Sequence, residues 1–401
     1  MSGEAFSEEG LQSLHDRLAA HVEHGALPGY VALVARGDQV WVDVVGAKAF
    51  EKSDPMQRED IFRIASLTKP IAAVGALVLS ERGVLRLDEP VDGWLPELAG
   101  RRVLRHAGAD LTDTVPARRA ITLEDLLTHR MGFGNILAPP DTYPIQSAEV
   151  ALQLKTLGPP WPPTPLTSDE WMRNLGSLPL MRQPGEEWLY NTGSDVLGVL
   201  IERAADQPLE SFLRECVFEP LGMRDTAFSM VDGKRDRLTT AYAADPATGA
   251  LDILDSPEES YWASPPSFPR AGGWLLSTVD DYWAFVQMII GGGAVGGVRV
   301  LSEGSTRLMT TDHLSQAQRA ASTPFLGTGA GWGFGLMVPA AGRPSAEGAR
   351  RIGWDGGTGT TWRSDIDRDL TTILFTQRSM TSPEPPAIFV DLWTGADLAL
   401  S

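Results

Sequence analysis

Leu11, Leu14, Leu18 and Val22 recur at helical spacing, which predicts an amphipathic helix over residues 11–24. Two β-branched runs follow, 30–35 and 40–45, with Arg36-Gly37-Asp38 between them, and this arrangement predicts a hairpin. Residues 71–79 are apolar throughout and rich in Ala, Leu and Val, as in a buried helix. A short helix is predicted to open at Thr122, with Asp125 three residues on in a weak capping box. Residues 196–205, 209–217 and 280–290 carry further helical patterns, the last stopped by Gly291-Gly292-Gly293. Strand-like runs return at 331–338 and 370–377, and a helix over 388–398 closes the chain. The stretch GPPWPPTP at 158–165 reads as a stiff loop, because proline lacks a donor and restricts the residue before it.

Strands therefore cluster towards both ends and helices fill the middle. The expected fold class is α/β of the α+β type, an antiparallel sheet flanked by helices with an inserted, mainly helical lobe. Residues 1–80 and 270–401 are assigned to the sheet lobe and 81–269 to the helical lobe. A ligand site is expected between them.

The chain has 401 residues, 43% of them apolar, enough for one large core. Its net charge of −18 argues against a nucleic-acid partner. The locally basic stretch from Arg101 to Arg119 reads as a solvated face. Cys216 is the single cysteine, so no intramolecular disulfide forms, which fits a reducing compartment. The N-terminus is polar and acidic, unlike a secretory signal, and no window approaches the ~18 apolar residues of a membrane helix. A cytoplasmic location is expected, without membrane association; the oligomeric state is left open.

Ser66-Leu67-Thr68-Lys69 is an S-x-x-K element ahead of the apolar helical run. Three residues is about one helical turn, so both side chains share a face. A serine hydroxyl needs a base within hydrogen-bond reach. A lysine serves once desolvation or a neighbouring positive charge lowers its pKa. Pro70 is tolerable there only because it falls in the first turn. There is no G-x-S-x-G elbow, no H-E-x-x-H and no paired-cysteine motif. No metal or other cofactor is therefore expected. His21 and His24 read as surface residues, and His129 as a structural hydrogen-bonding residue.

The segments FRIASLTK at 62–69, ITLEDLLTHRMGFG at 121–134, FEPLGM at 218–223 and AGGWLLST at 271–278 together resemble the serine β-lactamase and penicillin-binding superfamily. More narrowly, they resemble its class C-like branch, which contains the family VIII carboxylesterases. The resemblance implies a β-lactamase-like fold with Ser66 as nucleophile and Lys69 and Tyr190 as acid–base partners. Tyr190 lies in WLYNTGSD, which resembles the family's Tyr-x-Asn element. Thr192 stands where the Asn is usual, and the Asn role is carried to neither Thr192 nor Asn191. By the resemblance, Tyr190 takes or relays the Ser66 proton, its pKa lowered by Lys69.

The segment GWDGGTG at 353–359 resembles the third family element, with Trp354 replacing its basic residue. This implies an oxyanion hole from the backbone N–H groups of Ser66 and Gly357. Trp354, Asp355 and Gly356 are assigned to substrate binding, and so is Trp161 of the Pro-rich loop, on composition alone. The leading function is hydrolysis of small carboxylic esters, with a small-molecule ester as the partner. Four alternatives stay open: β-lactam hydrolysis, D-aminopeptidase-like cleavage, acyl transfer to an alcohol, and non-catalytic β-lactam or peptidoglycan binding.

Overall fold

The computed structural model describes residues 6–154, 163–245, 248–341 and 350–400. Helix α1 (Glu8–Glu23) starts three residues before the periodic apolar run. Ser7 caps it by accepting from Gly10 N, and Glu8 and Glu9 favour its first turn. Strands β1 (Gly29–Arg36) and β2 (Gln39–Gly46) form the predicted hairpin, paired from Gly29↔Gly46 to Arg36↔Gln39. The turn needs a positive φ at Gly37 (55°). Helix α2 (Thr68–Glu81) follows and is buried from Thr68 to Leu79.

Four more helices occupy positions that matter for the site. They are α3 (Leu123–Leu127), α4 (Thr192–Ala205), α5 (Val279–Ile290) and α6 (Gln316–Leu326). The Thr122–Asp125 capping box opens α3. The run at 331–338 is not one strand but two, β3 (Ala330–Trp332) and β4 (Met337–Pro339). Glycine breaks it: Gly335 has φ 79°, and a Cβ on Gly333 would stand 2.1 Å from Met309 O. Strands β5 (Arg351–Gly356), β6 (Thr360–Asp365) and β7 (Leu370–Thr376) and helix α7 (Ala387–Leu398) complete the chain.

These seven strands form one antiparallel sheet in the order β3-β4-β5-β6-β7-β1-β2. β7 pairs with β1 from Tyr30↔Thr376 to Arg36↔Leu370, so the sheet draws strands from both ends of the chain. Alternate side chains divide its faces. Val31, Leu33, Ile373 and Phe375 join the large core that contains α2 and α5. Tyr30, Ala32, Val34 and Leu374 join a smaller core with Leu14 and Leu18 of α1 and Phe389 and Leu392 of α7. Trp354 and Trp362 belong to the large-core face, and this places the end of β5 beside the S-x-x-K segment.

The basic stretch is solvated except at its first member. Arg101 is buried and donates to the carbonyls of Leu175, Gly176 and Leu178, where the charge pattern predicts a solvated side chain. No described helix is long and apolar enough to cross a membrane.

Candidate active site

The S-x-x-K segment is held at both ends. Ile64 N donates to Leu275 O (3.0 Å), and Leu275 N donates to Thr68 Oγ1 (3.1 Å). Between them Ala65 adopts φ 42°, a region a non-glycine residue occupies only when its surroundings impose it. That turn raises Ser66 out of the core: its flanks Ala65 and Leu67 are buried and Ser66 is not. Lys69 is 1% exposed, and its Nζ donates to Ser66 Oγ at 2.9 Å and to Gly272 O. Pro70 costs nothing here, because its missing N–H falls in the first turn of α2, where no carbonyl awaits it.

The segment is rooted by a buried ion pair. Arg63 bonds Asp255, both side chains at most 1% exposed, and donates to Thr239 O (2.6 Å). Arg63→Ala would strand the Asp255 charge in the core, so a loss of about 3–5 kcal/mol is expected in urea unfolding.

Tyr190 approaches Ser66 from the other side. Leu189 N bonds His129 O (2.8 Å), and Asn135 N bonds Tyr190 O (2.9 Å). Gly134 permits this packing, since a Cβ there would stand 2.4 Å from Leu189 O. The Tyr190 hydroxyl accepts from Trp354 Nε1 (2.7 Å) and faces Ser66, whose nearness works to lower its pKa. Lys69 Nζ lies 4.6 Å from the Tyr190 ring centroid. His129 packs edge-on against Trp188 and Tyr190 and beside Trp332. Among the described residues neither of its ring nitrogens has a partner, so it fills aromatic space where a hydrogen-bonding role was expected.

Burial sets the electrostatics. It pulls Lys69 down to about 7; Asp195 opposes this and Arg270 reinforces it. Burial also pushes Tyr190 above the usual phenol range, and hydrogen bonding with Ser66 and Trp354 offsets this only in part. Tyr190 is therefore a held phenol, and the expected lowering of its pKa by Lys69 does not occur. Desolvation decides both shifts.

The β5–β6 turn supplies the third side. Trp354 is buried and faces Tyr190 at 5.6 Å between ring centroids. Asp355 lies on the opposite sheet face, as neighbouring strand residues must. Its carboxylate is held by Arg363 (2.7 Å) and Thr361 (2.6 Å), and Arg363 lies over Trp393 of α7. The assignment of Asp355 to substrate contact is corrected on that ground. Gly356 is explained by close packing rather than by substrate approach: a Cβ would stand 2.3 Å from Ile64 O. Gly357 follows in the turn and is partly exposed. Trp161 lies outside the described residues.

The Beta-lactamase family model matches residues 14–390. The chain belongs to the β-lactamase family. Protein Rv1367c of Mycobacterium tuberculosis (strain ATCC 25618 / H37Rv) is 39% identical over 364 residues, 88% of this chain and 86% of that one. Esterase EstB of Burkholderia gladioli is 30% identical over 370 residues, 87% and 86% of the two chains. Among solved structures, EstCE1, a hydrolase with promiscuous acyltransferase activity, matches with a TM-score of 0.77 at 26% identity. That match covers 98% of this chain and 100% of the other.

In this β-lactamase-family chain two of the quoted segments meet behind Lys69, Asp195 from one and Gly272 from the other. Asp195 Oδ1 accepts from Gly272 N (3.0 Å) and Oδ2 from Arg270, and both side chains are at most 5% exposed. Asp195 thus fixes the peptide whose carbonyl holds Lys69, while Arg270 balances its charge. Gly272 has to be glycine: a Cβ would stand 2.7 Å from Asp195 Oδ1. The one sequence signal was that Asp195 closes the segment carrying Tyr190, directly ahead of the apolar run of α4.

Proposed function

We propose that the chain hydrolyses small carboxylic esters through an acyl-enzyme on Ser66. Membership of the family and the esterases among its relatives make it a carboxylesterase-type serine hydrolase. The observation that carries the residue assignment is the Ser66 hydroxyl held between a buried Lys69 Nζ at 2.9 Å and the Tyr190 phenol. Neutral Lys69 takes the proton as Ser66 Oγ bonds to the acyl carbon. Tyr190 protonates the departing alkoxide as the carbonyl-to-alcohol bond breaks, and recovers its proton from Lys69. Water then repeats the attack and releases the acid.

The N–H groups of Ser66 and Gly357 are the oxyanion donors in this reading. It is supported by the packing of Gly356 on Ile64 and by Thr360 Oγ1 donating to Ile64 O (3.1 Å). The two-lobe division at residues 81 and 269 and a cytoplasmic location belong to the same proposal. The lone Cys216 supports the second. Acyl transfer to an alcohol is the second reading, favoured by the activity named for EstCE1.

Simple esters are expected to outpace β-lactams. A β-lactam carries a carboxylate that calls for a cation; Trp354 supplies none, and its N–H is already donated to Tyr190. One missing charge-assisted hydrogen bond costs about 1.5–3 kcal/mol, roughly ten- to a hundred-fold in kcat/KM. The opened ring also stays attached and obstructs water. The test compares p-nitrophenyl acetate and butyrate with a chromogenic cephalosporin and a D-amino-acid amide. A cephalosporin or amide rate equal to the esters would overturn the ester assignment.

A further inference from the structure

Beside Tyr190 lies a pocket of about 230 Å³. Among the described residues it is lined by the rings of Tyr143, Trp188, Tyr190 and Phe325 and by Ile136 and Met181. The Tyr190 and Phe325 rings meet at 4.5 Å between centroids, and Trp188 stacks on Tyr190 at 5.5 Å. The charged lining groups Arg182 and Glu187 are paired with each other at 2.5 Å, so neither awaits a charged ligand. Neither Ser66 nor Lys69 lines this pocket, nor does any residue of the 353–359 turn.

We infer that this pocket receives the alcohol portion of the ester, and that its natural substrates carry a bulky, uncharged, apolar alcohol such as an aromatic or alicyclic one. The inference rests on the proposed ester hydrolysis and adds which half of the substrate is selected. Its geometry follows from the proton path. In acylation the leaving oxygen must lie within hydrogen-bond reach of the Tyr190 hydroxyl, because that group protonates it. The carbonyl oxygen points instead to the N–H groups of Ser66 and Gly357. A substituent on the leaving oxygen is therefore the part of the substrate beside Tyr190, whose ring walls the pocket.

The apolar lining gives selectivity by burial and offers an uncharged group no penalty. In this arrangement the alcohol leaves after acylation and empties the pocket, so its size acts on kcat/KM rather than on deacylation.

Ala321 on α6 also lines the pocket and is exposed, so a larger side chain there can narrow the pocket without entering the core. The test measures two ratios of kcat/KM in wild type and Ala321→Trp. The first compares 2-phenylethyl butyrate with ethyl butyrate, which share the acyl group. The second compares p-nitrophenyl octanoate with p-nitrophenyl acetate, which share the alcohol. Wild type should favour the phenylethyl ester. In Ala321→Trp the first ratio should fall roughly ten-fold or more, and the second should hold. A fall confined to the second ratio would assign the pocket to the acyl group and overturn the inference. Equal ratios in both proteins would also overturn it. Fluorophosphonate labelling of Ser66, with ethyl butyrate turnover, separates these outcomes from failure of the ester reading itself. A wild type that hydrolyses no ester overturns both.

Discussion

Ser66→Ala is expected to lower kcat/KM for p-nitrophenyl butyrate by roughly 10⁴-fold or more and to abolish fluorophosphonate labelling. The loss should be this large because no neighbouring hydroxyl is placed to substitute. Thr68, one helical position from Lys69, is fully buried, and its Oγ1 is already accepting from Leu275 N. Thr358 and Thr360 donate their hydroxyls to the carbonyls of Arg63 and Ile64. Among the described residues only Ser66 combines partial exposure, a contact to Lys69 and a place directly before α2. The variant should still fold, since the change removes one oxygen at a partly exposed position and leaves Lys69 bonded to Gly272 O. Steady-state rates, intact-protein mass spectrometry and a thermal melt taken together make the check. An adduct found on another residue, in a protein that melts normally, would sink the nucleophile assignment.

What could be read from the chain follows the range of the forces involved. The hairpin of β1 and β2 and the helices α1, α5 and α7 came from local periodicity, because one face of each packs on a core. The Ser66–Lys69 contact was equally local, being one helical turn. Tyr190, Trp354 and Gly357 stood out only through resemblance to a family, since no local rule links positions more than a hundred residues apart. The Asp195–Arg270 pair joins residues 75 apart, and nothing in either neighbourhood announces the partner. Asp355 was carried along with the GWDGGTG segment as a whole, whereas a strand sends neighbours to opposite faces and so parts it from Trp354. Arg101 differs for a like reason: composition predicts exposure, while the carbonyls of Leu175, Gly176 and Leu178, 74 to 77 residues away, decided burial.

Lys69→Ala and Tyr190→Phe are each expected to lower kcat and kcat/KM together, by roughly 10²–10⁴-fold, and their pH profiles should tell the two roles apart. Lys69 must be neutral to accept the Ser66 proton. Its pKa is held at about 7, well below the usual 10.5, so most of the enzyme is competent at pH 8. Below about 7 the neutral fraction should fall ten-fold per pH unit, giving wild type an acid limb in kcat/KM. The charged groups facing Lys69 are Asp195 and Arg270, which are bonded to each other. The nearby His129 is held neutral by burial, its pKa well below 6.5, so it does not titrate across that limb. Tyr190 is pushed upward and stays protonated, so it contributes no limb in this range. Tyr190→Phe should therefore keep the acid limb on a reduced rate, whereas Lys69→Ala should flatten it. The double variant should be scarcely slower than the slower single one, because a proton path broken once is not broken further. If instead Tyr190→Phe removes the limb and Lys69→Ala preserves it, the tyrosine is the base and the burial argument is wrong. Fully multiplicative losses would show that the two side chains do not share one proton path.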